Sequence, residues 1–290
     1  MKIVVFGSEC NSDKLPIIKG LFNKLGSLGA DVCVEKNFAA FLSSSFDYEP
    51  DAAIMTDDGE CQPDIALSVG GDGTFLRTAL QINSRAIPIL GINIGRLGFL
   101  ADVSRDRIDE TLEELLVGNY RVEERSLLRL HDAESAFEGF NYALNEIAVL
   151  KRDTSSMITI HTYLDNDYLT SYKADGLVIA TPTGSTAYSM SVNGPILLPQ
   201  NRNIIISPVA PHSLNVRPIV IPDDCQIMLN VESRNNSFLV SLDGRNEDFL
   251  TGKNLIISKA DITTRVIKRY NQTFYHTLRE KLMWGVDVRS

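Results

Sequence analysis

Cysteine, histidine and tryptophan are scarce in this chain, at four, four and one of 290 residues. Cys10, Cys33, Cys61 and Cys225 are widely spaced and form no Cys-x-x-Cys pair, so neither a zinc site nor a disulfide framework is suggested. A reducing cytoplasm is the expected compartment. Nowhere do 18 apolar residues follow one another, and Met1-Lys2-Ile3-Val4-Val5-Phe6 reads as a short strand, so neither secretion nor a membrane span is expected. Positive charge is also in deficit: 28 Lys and Arg stand against 37 Asp and Glu, a formal net charge of −9. A broad nucleic-acid surface needs clustered basic residues to displace counterions, and this balance argues against one. An anionic small ligand remains open, given local arginines or a divalent cation. Two phosphate-binding fingerprints are missing as well. Phe6-Gly7-Ser8-Glu9-Cys10 holds one glycine where a dinucleotide turn needs Gly-x-Gly-x-x-Gly, and the spacing of Gly91, Gly95 and Gly98 is also wrong. Gly73 is followed by Thr74-Phe75, where a P-loop needs Lys and then Ser or Thr.

What is present is enough apolar material, 44% of the residues, for one large domain or two of ordinary size, and two are expected. From Lys2 to about Gly118 short β-branched runs (Ile3 to Phe6, Asp31 to Val34, Ile65 to Val69, Ile87 to Ile92) alternate with helical patterns, as in a parallel sheet covered by helices. Leu15, Ile18, Leu21, Phe22 and Leu25 recur at helical spacing, as do Ile108, Leu112, Leu115 and Leu116, with Gly29 and Gly118 placed for left-handed caps. From about Asn119 the pattern changes to period two, as in Ser156 to Tyr163 and Gln226 to Val231, punctuated by Asp165-Asn166-Asp167 and Asp223-Asp224 as hairpin turns would be. The expected organisation is an α/β domain with a parallel sheet over 1–118, a strand-rich domain over 119–266, and a segment over 267–290, helical from Tyr275 to Trp284, that packs back on the first domain.

Three local patterns carry chemistry. Leu67-Ser68-Val69-Gly70-Gly71-Asp72-Gly73-Thr74-Phe75-Leu76 sets one carboxylate among three glycines where a strand ends and a helix begins. Glycines let the backbone turn sharply and bring its N–H groups close to an anion, and the helix adds its positive end. A tight turn with a solvated Asp is the plainer alternative. Ala174-Asp175-Gly176 leads through a strand into Thr181-Pro182-Thr183-Gly184-Ser185-Thr186-Ala187-Tyr188-Ser189, a hydroxyl-rich turn with an aromatic face suited to a sugar and a base. An ordinary Ser/Thr turn with a core tyrosine would look similar. Asn145-Glu146 lies inside an apolar run, where an amide and a carboxylate need partners. Asn can pair with an adenine edge and Glu can accept from ribose hydroxyls; an end-of-strand pair facing water is the alternative. His161, His212 and Trp284 read as structural.

Together these patterns resemble the NAD kinase family, and the likeness extends through Gly91-Ile92-Asn93-Ile94-Gly95-Arg96-Leu97-Gly98-Phe99-Leu100 and Pro211-His212-Ser213-Leu214-Asn215-Val216-Arg217-Pro218. The glycine-Asp motif alone also resembles phosphofructokinases and lipid kinases. The resemblance implies transfer of the γ-phosphate of ATP to the 2′-hydroxyl of the adenosine ribose of NAD, giving NADP. It implies Asp72 as base with Gly73 beside it, Asn145 and Glu146 on the adenosine, and Asp175 reading a polar edge. Thr183, Thr186, Ala187, Tyr188, Ser189, Met190 and Ser191 would line the dinucleotide pocket, and Ala210 would add backbone contacts, in some relatives from a neighbouring subunit. Arg77 and Lys173, at variable family positions, are further candidates for contact with NAD. Asp243-Gly244-Arg245 departs from an expected Asp-Gly-Gln, which turns Arg245 into a candidate phosphate contact. A homo-oligomer (dimer or tetramer) is implied, with ATP as donor and polyphosphate as a second candidate.

Phosphoryl transfer needs alignment and charge neutralisation. With neither a Walker lysine nor a His-Arg-Asp loop, neutralisation is expected from Mg²⁺ or another divalent cation arriving with ATP, aided by arginine or backbone N–H groups. The rival readings are a non-catalytic NAD(P)-binding sensor and a lipid or sugar kinase sharing the glycine-Asp motif.

Overall fold

The computed structural model describes residues 1–55, 62–82, 85–133, 135–152 and 156–285. The chain divides into two compact units, Met1–Glu124 with Arg265–Ser290, and Arg125–Thr264. In the first, β1 (Lys2–Gly7), α1 (Leu15–Ser27), β2 (Asp31–Glu35), α2 (Lys36–Phe46), β3 (Ala53–Met55), β4 (Ile65–Gly70), α3 (Asp72–Ile82), β5 (Ile89–Asn93) and α4 (Ile108–Leu116) follow one another. The strands lie in the order β5-β4-β1-β2-β3, every pair parallel. Each residue of β4 and β5 is buried, as expected of strands covered on both faces. Ile18, Leu21, Phe22 and Leu25 of α1 and Ile108, Leu112 and Leu115 of α4 join Ile3, Val5, Leu67 and Val69 in one core. The two helical spacings in the sequence therefore correspond to real buried faces. Gly29 and Gly118 have φ of 71° and 75°, the left-handed caps anticipated for them.

Helix α2 and the short edge strand β3 are elements of this unit that the sequence reading does not anticipate. Ser43-Ser44-Ser45 dilutes the propensity of α2, and its N-cap is Glu35, whose carboxylate accepts from the Asn37 and Phe38 N–H groups at 3.0 and 2.9 Å. Cys33 is buried and disulfide-bonded, a linkage its spacing did not suggest, while Cys10 and Cys225 are free.

The second unit is antiparallel. The strand β6 (Arg121–Leu130) pairs with β7 (Tyr142–Ala143). There follow β8 (Glu146–Leu150), β9 (Ile158–Leu164), β10 (Asp167–Ala174), β11 (Gly176–Ala180), the one-turn α5 (Tyr188–Ser191), β12 (Asn203–Val209), β13 (Ile219–Pro222), β14 (Ile227–Glu232), β15 (Ser237–Leu242), β16 (Arg245–Leu250) and β17 (Asn254–Lys268). One sheet runs β10-β9-β14-β17 and the other β13-β12-β11-β8-β15-β16. Their inner residues, among them Ile158, Ile160, Leu177, Ile179, Ile206, Leu229, Phe238 and Val240, form a single core. Strand β9 alternates buried and half-buried as its period-two pattern predicts, whereas β11 is buried throughout. The reason is a second cover: Val178 and Ala180 pack under Tyr188, Val192 and Leu197.

Asp165-Asn166 makes the anticipated two-residue hairpin, with φ of 49° and 73°, between Leu164 and its partner Asp167. Asp223-Asp224 does not: it joins β13 to β14, which belong to different sheets. The C-terminal helix α6 (Phe274–Leu282) belongs to the first unit, starts on Thr273, whose hydroxyl accepts from the His276 N–H, and stops at Met283 with φ of 52°.

Candidate functional site

In the first unit, β4 ends at Gly70 and α3 begins at Asp72, the Thr74 and Phe75 N–H groups already bonding to the Gly71 carbonyl. The glycines are not there for a left-handed turn, since none of Gly70, Gly71 and Gly73 has positive φ. Gly70 makes room for Thr74, whose Oγ1 would lie 2.2 Å from a Cβ; Gly71 and Gly73 face open space, leaving their backbone approachable. Asp72 sits at the positive end of an 11-residue helix. Its Oδ1 accepts from the Leu100 and Ala101 N–H groups and its Oδ2 from that of Phe99, each at 2.9 Å. Gly98 is required by this arrangement, because a Cβ there would lie 2.0 Å from Oδ1. The receiving loop is itself tied down by Asn93, whose Oδ1 accepts from Gly95 N–H and whose amide donates to the Arg96 carbonyl. Lys281 of α6 brings its Nζ to 3.4 Å from Asp72 Oδ2 and 4.4 Å from the centre of the Phe99 ring.

Beside this motif, Ser8 and Thr74 share a 2.9 Å hydroxyl contact, and Arg77 donates to Thr74 Oγ1 at 3.4 Å. These three residues line a cavity of about 500 Å³ with Glu35, Phe38 and Gln81.

In the second unit Asn145 and Glu146 open β8, and their backbone is captured by a residue almost a hundred positions away. The buried Asp243 carboxylate accepts from the Leu144, Asn145 and Glu146 N–H groups at 2.6, 2.8 and 3.1 Å. Asp243 and Gly244, with φ of 51° and 84°, are the two-residue turn of the β15–β16 hairpin, so the Asp-Gly dipeptide serves both turn and capture. The hydroxyl turn is joined to the same point: Thr181 N–H donates to the Asn145 carbonyl at 2.9 Å and Thr181 Oγ1 to that of Leu144 at 2.6 Å. Gly184 lies so close that a Cβ would sit 2.0 Å from the Asn145 oxygen. The two patterns that suggested a nucleoside pocket are thus packed against each other.

Glu146 is the electrostatic anomaly of this half. Burial, and after it the nearby Asp243, push its carboxyl up to about 8, against a smaller downward pull from the Tyr188 N–H. Its Oε2 is buried with no hydrogen-bond partner. Asp243 is raised as well, by burial, against the opposing pull of its three N–H donors and Arg245. Burial, then Glu146 and Asp175, raise the half-buried Tyr188 phenol.

The other candidates are distributed as follows. Asp175 pairs with Lys151 at 2.6 Å. Thr183 is buried, Thr186 and Met190 are half-buried, and Thr186 bonds back to the Thr183 carbonyl. Ala187 is half-buried and Ser191 exposed. Ser189 is buried, its Oγ filling the space that a Cβ on Gly194 would need. Lys173 is exposed, and its carbonyl accepts from the His212 N–H at 2.8 Å, which gives that loop its anchor. Ala210 is exposed, with a left-handed φ of 44°. Arg245 spends its guanidinium inside the unit, donating to the Phe140 and Tyr142 carbonyls at 2.7 and 2.6 Å and lying over the Phe137 and Phe140 rings. Sequence reasoning missed Asp243 as an anchor and Lys281 altogether; the Asp-Gly turn dipeptide could have signalled the first, and nothing local signals the second. His161 bonds Ser171 and pairs with Glu232, in keeping with a structural role.

Among the described residues no group of three His, Cys, Asp or Glu side chains could hold a metal ion.

Comparison with known proteins places these features in one family. Residues 17–120 match the model of the ATP-NAD kinase N-terminal domain and residues 144–269 that of the C-terminal domain. The chain is 50% identical to an NAD kinase of Bacteroides fragilis, covering 100% of both, and 46% identical to one of Porphyromonas gingivalis, covering 99% of both. Among solved structures it is similar to yeast NADH kinase complexed with NADH (TM-score 0.86, 22% identity, 100% of this chain and 89% of that one). It is also similar to an NAD kinase from Archaeoglobus fulgidus in complex with ATP (TM-score 0.77, 25% identity, 98% and 99%). With both domain models matched in order and full-length relatives at this identity, the chain belongs to the ATP-NAD kinase family.

Proposed function

We propose that Asp72 is the base in the transfer of the γ-phosphoryl group of ATP to the adenosine 2′-hydroxyl of NAD. The observation that carries this is the setting of its carboxylate: three backbone N–H groups fill three of its roughly four acceptor sites and fix its orientation at the start of α3. The remaining direction, on Oδ2, holds only the long 3.4 Å contact from the Lys281 ammonium, which an incoming hydroxyl can share or displace as it donates. As the bond from O2′ to phosphorus forms and the bond to the bridging oxygen of ADP breaks, the 2′ proton passes to Asp72. The open backbone at Gly71 and Gly73, together with Arg77, receives the donor's phosphates. A divalent ion would accompany those phosphates as part of the nucleotide and supply positive charge there.

Asn145, Glu146, Asp175 and Tyr188 hold the adenosine, with Thr183, Thr186, Ala187, Met190 and Ser191 around it and Ala210 offering backbone. Protonated Glu146 can donate to a ribose oxygen as well as accept. Ser189 and Arg245 support the pocket from behind. We place the enzyme in the cytoplasm as a homo-oligomer; the free Cys10 and Cys225 agree with that compartment, while the disulfide at Cys33 runs against it. No helix among the described residues is long and apolar enough to cross a membrane. The deciding assay supplies ATP, Mg²⁺ and NAD to the wild type and to Asp72→Asn. NADP is expected from the first alone; NAD binding with no NADP from either would leave a sensor, and phosphorylation of a lipid or sugar with NAD ignored would leave the other rival.

A further inference from the structure

The sequence lacks the lysine that phosphoryl-transfer sites usually place on the transferred group, yet the fold supplies one. Lys281 comes from the last turn of α6, 209 residues beyond Asp72, and no spacing rule links the two. Its ammonium lies 3.4 Å from Asp72 Oδ2, the oxygen that takes one backbone N–H where Oδ1 takes two. The contact is long for a charge-assisted hydrogen bond, so the ammonium retains donors for another partner. Both side chains are about one-third exposed, at 30% and 29%, so solvent and ligand reach them. The position is held: the ammonium lies over the Phe99 ring, and Phe99 in turn packs on Phe274 at the start of the same helix, ring centres 5.9 Å apart. Phe99 also donates its N–H to Asp72. One residue thus sets both the base and the cation.

We propose that Lys281 is a catalytic residue of the transfer, its ammonium bridging Asp72 and the phosphoryl group as negative charge gathers between acceptor and donor. The proposal rests on the reading of Asp72 as base. A surface ion pair alone would contribute little. The useful property is location, because a fixed cation where charge develops lowers the barrier without reorganisation. Lysine suits a group that meets a carboxylate and a phosphoryl in turn, being a compact charge on a flexible stem.

The test compares wild type with Lys281→Met, which keeps the stem over Phe99 without charge, Lys281→Gln and Lys281→Arg. Steady-state kinetics are measured with ATP, Mg²⁺ and NAD, and melting curves verify folding. A kcat loss of roughly 10- to 100-fold is expected in both neutral variants, with the KM for NAD unchanged and most of the loss recovered in the arginine variant. Wild-type kcat in the folded neutral variants would overturn the proposal, and so would a rise, which would make Lys281 a latch that holds Asp72 off its substrate. Arginine failing to recover activity while matching the others in stability would also count against it. If instead the wild type makes no NADP, the reading of Asp72 has failed and the lysine falls with it; wild-type activity beside fully active neutral variants removes the lysine alone.

Discussion

At the scale of single residues, chemistry is assigned by what each side chain lacks as much as by what it touches. Asp72 has its orientation fixed by backbone donors, so Asp72→Asn keeps the shape and loses the base. A turnover loss of about 10²- to 10⁴-fold is expected, with NAD affinity, measured by calorimetry, largely intact. Tyr188 makes a different case, its half-buried ring packed over Val178 and Ala180: if it also stacks on a base, Tyr188→Ala should weaken NAD binding by about 1 to 3 kcal/mol, and unchanged affinity would remove it from the pocket. Glu146 links the site to stability. Its folded carboxyl titrates near 8, above the ordinary 4.5, so between those values the native state holds a proton that the unfolded chain releases. Stability from this group is complete below about 4.5 and lost as pH rises through about 8. Glu146→Gln, which mimics the protonated form, should flatten that decline; urea midpoints from pH 5 to 9 falling equally in both proteins would contradict it.

At the scale of elements, close approach is the recurring constraint. Gly98 and Gly184 are glycine because a carboxylate oxygen and a backbone carbonyl occupy the space of a Cβ. Gly98→Ala should displace the Asp72 carboxylate and abolish turnover, whereas Gly184→Ala should strain the junction of the hydroxyl turn with β8, costing about 1 to 3 kcal/mol by denaturant unfolding. These positions show how far the site was legible. The strand-to-helix placement of Asp72, the two amphipathic helices and the alternating strands were readable because each obeys a local period. The reach of Asp243 to Leu144, Asn145 and Glu146, and of Asp72 to Phe99, Leu100 and Ala101, was not, since those bonds cross 27 to 99 residues. The second cover on β11 erased its alternation for the same reason.

At the scale of the whole molecule, acidic composition and function pull in different directions: a chain of net charge −9 must bind two anionic nucleotides. Two lysines of the first unit show how individual cations are used. Lys268 is spent on Asp102, a pair 2.6 Å apart and both buried, while Lys281 is left within reach of solvent. Asp102→Asn should leave a buried ammonium without its counter-charge and cost about 3 to 5 kcal/mol in denaturant unfolding, a loss that a surface pair would not produce. Local pattern alone was enough for most of the strands and helices, α2 and β3 apart, and for the residue types able to do the chemistry, because hydrophobic period, turn dipeptides and glycine placement act over a few residues. Only the tertiary structure decided which backbone N–H groups meet Asp72, that Asp243 anchors the Asn-Glu pair, and that Lys281 stands beside the base. Those partners are distant along the chain, and only packing brings them together.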